Sequence, residues 1–543
     1  MSYEFIQRVG KYSYIYLIES YRNEKGEPRQ RRTPIGKIDP KTGKKSYKPW
    51  YLEQLRAAGH ATELSLTEKA FSVEDVKRST VREYGLFYFL KSISNHIGLM
   101  DCLSSAIPRC WQEVFVLACY LLASGDPFLY CEDWIHNTEC LPVGSMTSQR
   151  ISELLVMIRP EQRERFYGAW CSRRYEDEYL ALDITSTSSY SELIADVEWG
   201  YNRDRENLPQ INLCMLMGAT SRLPIYQSVY SGSLRDVVTL ETTLSRFDAV
   251  TEGRPVLIVM DKGFYSYRNI TRMLGDAKCG KKFIISVPFS ASFARKQVES
   301  ERKDIDRVEN TIVVNGESLR AVTKERAWSQ GHKVYTHIYY NAKKANGVRE
   351  DLFAHVALLR EAAEKDPAKY AGNEEYRQYL NIRESGKSDT GFTVSIRSDV
   401  IEDELSTAGW LVIISNDVPR AKEAIRIYRD KDVVEKGFLR LKCSLDLGRL
   451  RMHSQESMQN KVFVGFVALI LLSEINRVMA EKNLYRSYTI KKLFKVLAKQ
   501  RVQEICSQRI IYPATKEQRN IYEAFGIEVP TEMPQMILPE SQT

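Results

Sequence analysis

The chain has 543 residues, a formal net charge of +8, and 43% hydrophobic and 27% charged residues. That mixture lies close to the globular average and excludes a largely disordered, collagen-like or coiled-coil polypeptide, while the length suggests about three or four domains. The excess charge is uneven: residues 1–50 carry 12 Lys/Arg against 5 Asp/Glu, and residues 477–509 carry 9 against 2. Two basic segments point to a polyanionic partner, with a pair of solvated faces as the alternative.

In chain order, residues 1–50 hold short β-like runs such as Tyr14 to Ile18, then a basic turn at Arg29 to Thr33 and a basic stretch from Lys41 to Lys48. Together they predict a small basic β module, assigned to residues 1–70. From about Val73 to Trp170 the apolar spacing is helical, punctuated by Pro108, Gly125, Pro127 and Pro142, so residues 71–175 read as an all-α domain. The character changes at Glu178. Strands are expected at 179–185, 211–217 and 224–230, a helix at 236–247, a strongly apolar strand at 255–260, a helix at 267–274 and a strand at 283–287. That is a mixed α/β order over 176–288.

Residues 289–408 interrupt the pattern with charged stretches and short β-like pieces, and read as a β-containing insertion. The core resumes at Gly409 to Ser415, followed by one long helix from about Pro419 to Cys443, and runs to 480. A basic helical region and a proline-containing tail fill 481–543. The longest uncharged apolar run, Val462 to Leu472, is far shorter than the ~18–20 residues needed to span a bilayer, so no membrane partner is expected. The first residues lack an apolar signal core, and ten scattered cysteines form no CxxC; both fit a cytoplasmic protein with free thiols.

Three carboxylates stand out. Asp183 sits in mid-strand between Leu182 and Ile184, and Asp261 directly follows the apolar strand ending at Met260. An acid in either place is costly unless it is paired or bound to a cation, and the carboxyl end of a strand is where open α/β sheets bind ligands. A turn or helix-cap acid is the plainer reading of Asp261. Glu435 lies in the third segment, where a continuous helix would put Tyr428, Lys431, Glu435 and Lys442 within a ~60° stripe; a simple ion pair with Lys431 is its plainer reading. Two Asp and one Glu make a hard oxygen site suited to Mg²⁺, and two such ions can activate a water or 3′-hydroxyl and stabilise a leaving oxygen. Tyr428, Lys431 and Lys442 then suit a DNA phosphate.

In their order and spacing, Asp183-Ile-Thr-Ser, Asp261-Lys-Gly-Phe-Tyr and Tyr428-x2-Lys-x3-Glu-x6-Lys442 resemble the three catalytic motifs of DDE transposases of bacterial insertion sequences. The third is similar to the Y-(2)-R-(3)-E-(6)-K signature of the insertion sequence 4 superfamily, and the β module and length look most like its insertion sequence 1634 branch. Lys431 stands where the signature has arginine, which keeps the charge but loses the bidentate fork.

The resemblance implies an RNase H-like catalytic core with a β-containing insertion, preceded by the β module and the helical domain. It implies Asp183, Asp261 and Glu435 as ligands of two Mg²⁺ ions (Mn²⁺ as substitute) and DNA contacts at Tyr428, Lys431 and Lys442. It further implies the double-stranded terminal inverted repeats and a target DNA as partners, a homodimer in the DNA complex, and a place on the bacterial nucleoid. Strand cleavage followed by strand transfer is the expected reaction. A metal-dependent nuclease or resolvase on the same core, and a catalytically silent DNA-binding protein, are the alternatives.

Other patterns carry less. Cys131-x4-His136-x3-Cys140 supplies only three zinc ligands at an unusual spacing. Gly36 to Lys44 has its second glycine too late for a phosphate loop. His453 reads as a helix cap, and Trp328 as a packed tryptophan ahead of a platform for a flipped base.

Overall fold

A computed structural model of the protein describes residues 2–10, 12–22, 27–39, 45–48, 50–52, 54, 73–174, 178–251, 257–275, 281–329, 331–384, 391–505 and 508–531. The chain divides into two compact units, one built on residues 1–80 and the other on residues 81–503.

The first unit is a four-stranded antiparallel sheet in sequential order: β1 (Ser2–Val9), β2 (Tyr12–Arg22), β3 (Pro28–Ile38) and β4 (Lys45–Tyr47). Gly10, at φ +58°, makes the tight connection from β1 to β2. Alternate side chains Ile15 and Leu17 turn inward and pack with Ile35, Ile38, Tyr47 and Tyr51 as a small core. Arg29 to Thr33, expected as a turn, lies within β3 and pairs with Leu17 to Tyr21 of β2. Cross-strand pairing with Leu17 to Tyr21, which includes Glu19 opposite Arg31, outweighs the charge of that run. Lys41 to Lys44 lie outside the described residues.

The second unit is organised by a ten-stranded sheet. Its first strands are β5 (Tyr179–Ser189), β6 (Gln210–Gly218) and β7 (Pro224–Ser231), which pair antiparallel in sequence. Helix α1 (Asp236–Thr251) leads to β8 (Leu257–Met260), which joins the other side of β5 in parallel. Helix α2 (Tyr267–Gly275) leads to β9 (Lys282–Ser286), parallel to β8. The order β9-β8-β5-β6-β7 thus follows from three antiparallel strands and two helical crossovers. β6 is buried along its whole length, as its run Ile211 to Met217 predicts. Residues 255 and 256 of the expected fourth strand lie outside the described residues.

Residues 289–408 do two things. β10 (Thr311–Val314), β11 (Glu317–Ala327) and β12 (Lys333–Tyr340) extend the same sheet, joined to β9 through β13 (Trp410–Ser415). The remainder folds around the helix Ala342–Lys365 and a hairpin of Leu380–Glu384 with Phe392–Ile396, over a small core of Leu352, Val356, Leu359 and Tyr379.

The helices of 85–174 share one hydrophobic core with the sheet and with the helix Gln455–Glu481. The Trp170 indole N–H donates to the Pro224 carbonyl at 2.9 Å, and the rings of Phe166 and Phe463 meet edge to face at 5.1 Å. Gln455–Glu481 is, among the described residues, the one single helix long and apolar enough to cross a membrane, and it is largely buried in this core. It runs well beyond the apolar stretch Val462 to Leu472. Its buried Asn460 amide donates to the carbonyl of Ile158 at 2.8 Å, which offsets the cost of burying it.

The single helix expected over 419–443 is instead two helices and a wider turn: α3 (Ala421–Asp430), α4 (Asp432–Leu439) and a π-helical turn over Arg440–Ser444. The break falls at Lys431.

Candidate active site

The site grows from the pairing of β5 with β8. Leu182 is in register with Met260 on these adjacent parallel strands, so the next residues, Asp183 and Asp261, come side by side where β8 ends. Neighbours in register project to the same face. Asp261 is extended (φ −83°, ψ 169°) and makes no side-chain cap to the short 3₁₀ turn Lys262–Phe264, so the plain cap reading does not account for it. Gly263 in that turn leaves no room for a side chain: a Cβ there would meet Asp236 Oδ2 at 2.8 Å.

Asp261 is held from the α3 side. Tyr428 Oη donates to its Oδ1 at 2.8 Å, Ser286 Oγ donates to the same oxygen at 3.3 Å, and Lys431 Nζ lies 4.0 Å away. Burial works to raise the Asp261 pKa, but the Lys431 charge and the Tyr428 and Ser286 hydroxyls outweigh it, and the carboxyl sits below its ordinary range. The phenol of Tyr428 is pushed upward by burial and by the Asp261 charge.

Asp183 has the opposite balance. Burial dominates and pushes it up to about 6, against the backbone N–H of Ile184 at 2.8 Å and the charges of Lys431 and Arg203; Asp261 adds to the rise.

Lys431 ties the corner together. Its ammonium lies 3.0 Å from Glu435 Oε1, one turn on in α4, and 5.6 Å over the Tyr428 ring. Burial works to lower its pKa, and Asp261, Glu435 and Asp183 together raise it. Gly437 allows α4 to lie close on the sheet, because a Cβ there would overlap Met217 Sδ. Glu435 is thereby held against Lys431, whose ammonium lies 4.0 Å from Asp261.

Lys442 stands apart. The break at Lys431 and the π-turn remove it from the expected stripe, and its ammonium pairs with Asp204 at 2.6 Å. Arg429 pairs with Glu317. Three further residues complete the surroundings without any signal in the sequence. Arg203 binds the Asp236 carboxylate through one guanidinium nitrogen at 2.8 and 2.6 Å, and Ser286 joins Tyr428 and Asp261. Each is an ordinary residue of a loop, strand or helix start, and only its position marks it.

A cation site needs convergent hard oxygens. Among the described residues, no three His, Cys, Asp or Glu side chains gather closely enough to hold an ion. What occupies the middle of this acidic corner is the Lys431 ammonium, a positive charge of the protein's own in contact with Glu435 and near Asp261. The carboxylates are of the hard-oxygen type a divalent cation takes, but among the described residues they do not converge on one ion position.

A family profile described as "Transposase DDE domain" matches residues 174–471, more than half of the chain. The chain belongs to the DDE transposase family. As a DDE transposase it is an enzyme that cuts and joins DNA, and members of this family generally depend on divalent metal. No curated protein sequence matches the transposase. One solved structure similar to it is a cryo-EM structure of a piggyBac transposase synaptic complex with hairpin DNA, at 9% identity and a TM-score of 0.36, covering 82% of this chain and 77% of that one. A likeness that low carries no argument.

The remaining sequence candidates resolve simply. Cys131 is buried and Cys140 half-buried, and burial pushes their thiols up to about 12 and about 11. Trp328 stacks on Tyr267 at 5.2 Å and donates to Thr271 Oγ1 at 3.1 Å. His453 is not the cap of the long helix; Ser454 is, accepting from the Ser457 N–H.

Proposed function

We infer that this transposase binds the terminal inverted repeats of its own insertion sequence, hydrolyses one strand at each end, and joins the freed 3′-hydroxyl to target DNA. The supporting observation is the register of β5 and β8, which sets Asp183 beside Asp261, with Lys431 linking that pair to Glu435. Asp183, Asp261 and Glu435 would hold two Mg²⁺ ions, which supply an activated water or 3′-hydroxyl and stabilise the leaving oxygen. Tyr428 orients Asp261, and Tyr428, Lys431 and Lys442 would contact DNA phosphate.

The strand order β9-β8-β5-β6-β7 supports an RNase H-like core, in which residues 289–408 would be the insertion between the second Asp and the Glu. The motif spacing supports the insertion sequence 4 superfamily, and the N-terminal sheet the insertion sequence 1634 branch. Residues 1–70 and 71–175 are assigned to end binding and dimer contacts, 176–288 and 409–480 to catalysis, and 481–543 to a basic C-terminal region. The enzyme would work as a homodimer on DNA in the bacterial nucleoid.

The test is a strand-transfer assay with Mg²⁺ on pre-cut inverted-repeat ends, run beside nicking of uncut ends. Both activities are expected. Nicking without joining would make the protein a nuclease or resolvase, and neither activity, with DNA binding intact, would make it a silent DNA-binding protein.

A further inference from the structure

The N-terminal sheet has two unlike faces. In an antiparallel sheet, residues directly opposed across strands share a face, as do alternate residues along one strand. The pairs Glu4 with Leu17 and Ile6 with Ile15 belong to the inner face, where the small core lies. Glu19, opposite Arg31, shares that side.

The outer face is set by Tyr3 opposite Ile18, Phe5 opposite Tyr16, Gln7 opposite Tyr14 and Val9 opposite Tyr12, and Ile18 at its middle is buried, 2% exposed. Tyr3, Phe5, Tyr12 and Tyr14 are 50%, 39%, 57% and 38% exposed. A four-stranded sheet with that many exposed rings on one side is unusual for a soluble surface.

The carboxylates sort with the faces, while cations lie on both, with Arg8, Arg29, Arg31 and Lys45 on the inner side. Arg22, Arg32 and Lys37 fall on the outer face by register, and Arg32 lies 5.8 Å over the Phe5 ring, which confirms the assignment. Among the described residues of the four strands, neither Glu4 nor Glu19 nor any other carboxylate falls on it. Alternate aromatics along a strand are ~6.6 Å apart, and the strands ~4.8 Å. Rings at that spacing with cations between them suit an unstacked polynucleotide, whose bases present π-faces and whose phosphates are anionic. Duplex DNA conceals its base faces in the stack, so exposed rings gain little from it. A second copy of the same face would set cation against cation.

We propose that the outer face of this sheet is a stacking platform for unpaired DNA bases. Tyr3, Phe5 and Tyr14 carry the stacking, and Arg32 and Lys37 hold the backbone. The transposase reading enters only in naming the polymer as DNA.

Fluorescence anisotropy on the full-length protein in EDTA tests this, with a labelled mixed-sequence oligonucleotide offered single-stranded or as its blunt duplex. Phe5→Ala and Tyr14→Ala should each weaken single-strand binding by about tenfold, and duplex binding by less than about twofold. Phe5→Tyr and Tyr14→Phe keep a ring and should bind like the parent, which separates lost stacking from a disturbed sheet. Arg32→Gln should weaken the single strand and flatten its salt dependence. Equal losses on both substrates would mean a phosphate grip without stacking, and would overturn the proposal. So would unchanged single-strand affinity, or a drop in molecular mass by light scattering, which would make the face a contact between copies. No metal is present in this assay, so its failure leaves the cleavage and joining tests untouched, and their failure leaves this one interpretable.

Discussion

Asp183 and Asp261 are neighbours on adjacent strands, yet the protein treats them oppositely. The Asp261 side is furnished with a hydroxyl from Tyr428, another from Ser286 and the Lys431 charge, which together hold its carboxylate ionised. The Asp183 side offers one backbone N–H and distant charges, and burial dominates, lifting the acid to about 6. A β-strand interior has few donors to spare, because its backbone groups are committed to the ladder. The loop after β8 leaves Asp261 open to α3. The pair is therefore asymmetric without metal: one acid is ready, and the other is held at a cost that a bound cation would relieve.

The largest expected effect comes from removing a carboxylate of the corner. Glu435→Gln keeps shape and helix propensity, and if Glu435 is a metal ligand as proposed, Mg²⁺-dependent cleavage should fall by roughly a thousandfold or more. Lys431→Gln in the same helical segment should cost far less. Equal, mild losses in the two variants would reduce Glu435 to a simple ion-pair partner of Lys431.

Next is stability. A folded acid at about 6 against an ordinary 3.8 opposes folding by at most about 3 kcal/mol above pH 6. The sign is fixed by protons: the folded state binds the Asp183 proton more tightly, so this penalty is absent below about pH 4, grows between pH 4 and 6, and is complete above. Asp183→Asn should therefore raise the denaturation midpoint at pH 7.5, with the gain shrinking as the pH is lowered to 4. Asp261→Asn should do the reverse. The Asp261 pKa is lowered, so its stabilising contribution is present at neutral pH and is lost as the acid titrates below its usual range. Denaturation of both variants across this pH range would break the comparison if the two moved together.

Lys431 sharpens it further. Its ammonium must yield when a divalent ion enters, so Lys431→Met should tighten Mn²⁺ binding by about tenfold in calorimetry, as expected for removal of a competing charge. Unchanged or weaker binding would mean that the lysine holds the acids in place for the ion.

The smallest effect belongs to Lys442, already neutralised by Asp204 at 2.6 Å. Lys442→Gln should lower the salt slope of DNA binding by less than the roughly one unit of a full phosphate contact. A full unit would show that DNA displaces Asp204.

Much of this architecture was legible in the residues. Alternating and continuous apolar runs marked the strands at 179–185, 211–217, 224–230 and 283–287, because a buried strand must be apolar whatever its neighbours are. The two aspartates were conspicuous for the opposite reason, as acids in places where an acid needs a partner, and Glu435 for its place in a stripe with Tyr428, Lys431 and Lys442. Three things were not legible. A helical wheel assumes an unbroken helix, and the segment breaks at Lys431 and widens into a π-turn at Arg440–Ser444. Arg203, Asp236 and Ser286 reach the corner from a loop, a helix start and a strand, and no local pattern distinguishes them. Nor could local pairing preference show that the strands at 311–340 extend the main sheet.

What the sequence determined alone is the set of elements and the chemical types at their key positions, since burial and periodicity act locally on each segment. What only the tertiary structure decided is which acid is held ionised and which is strained. That depends on donors and charges brought from residues as far as Tyr428, 167 positions from Asp261, and the field at a carboxyl group is set by distance in space, with no regard to distance along the chain.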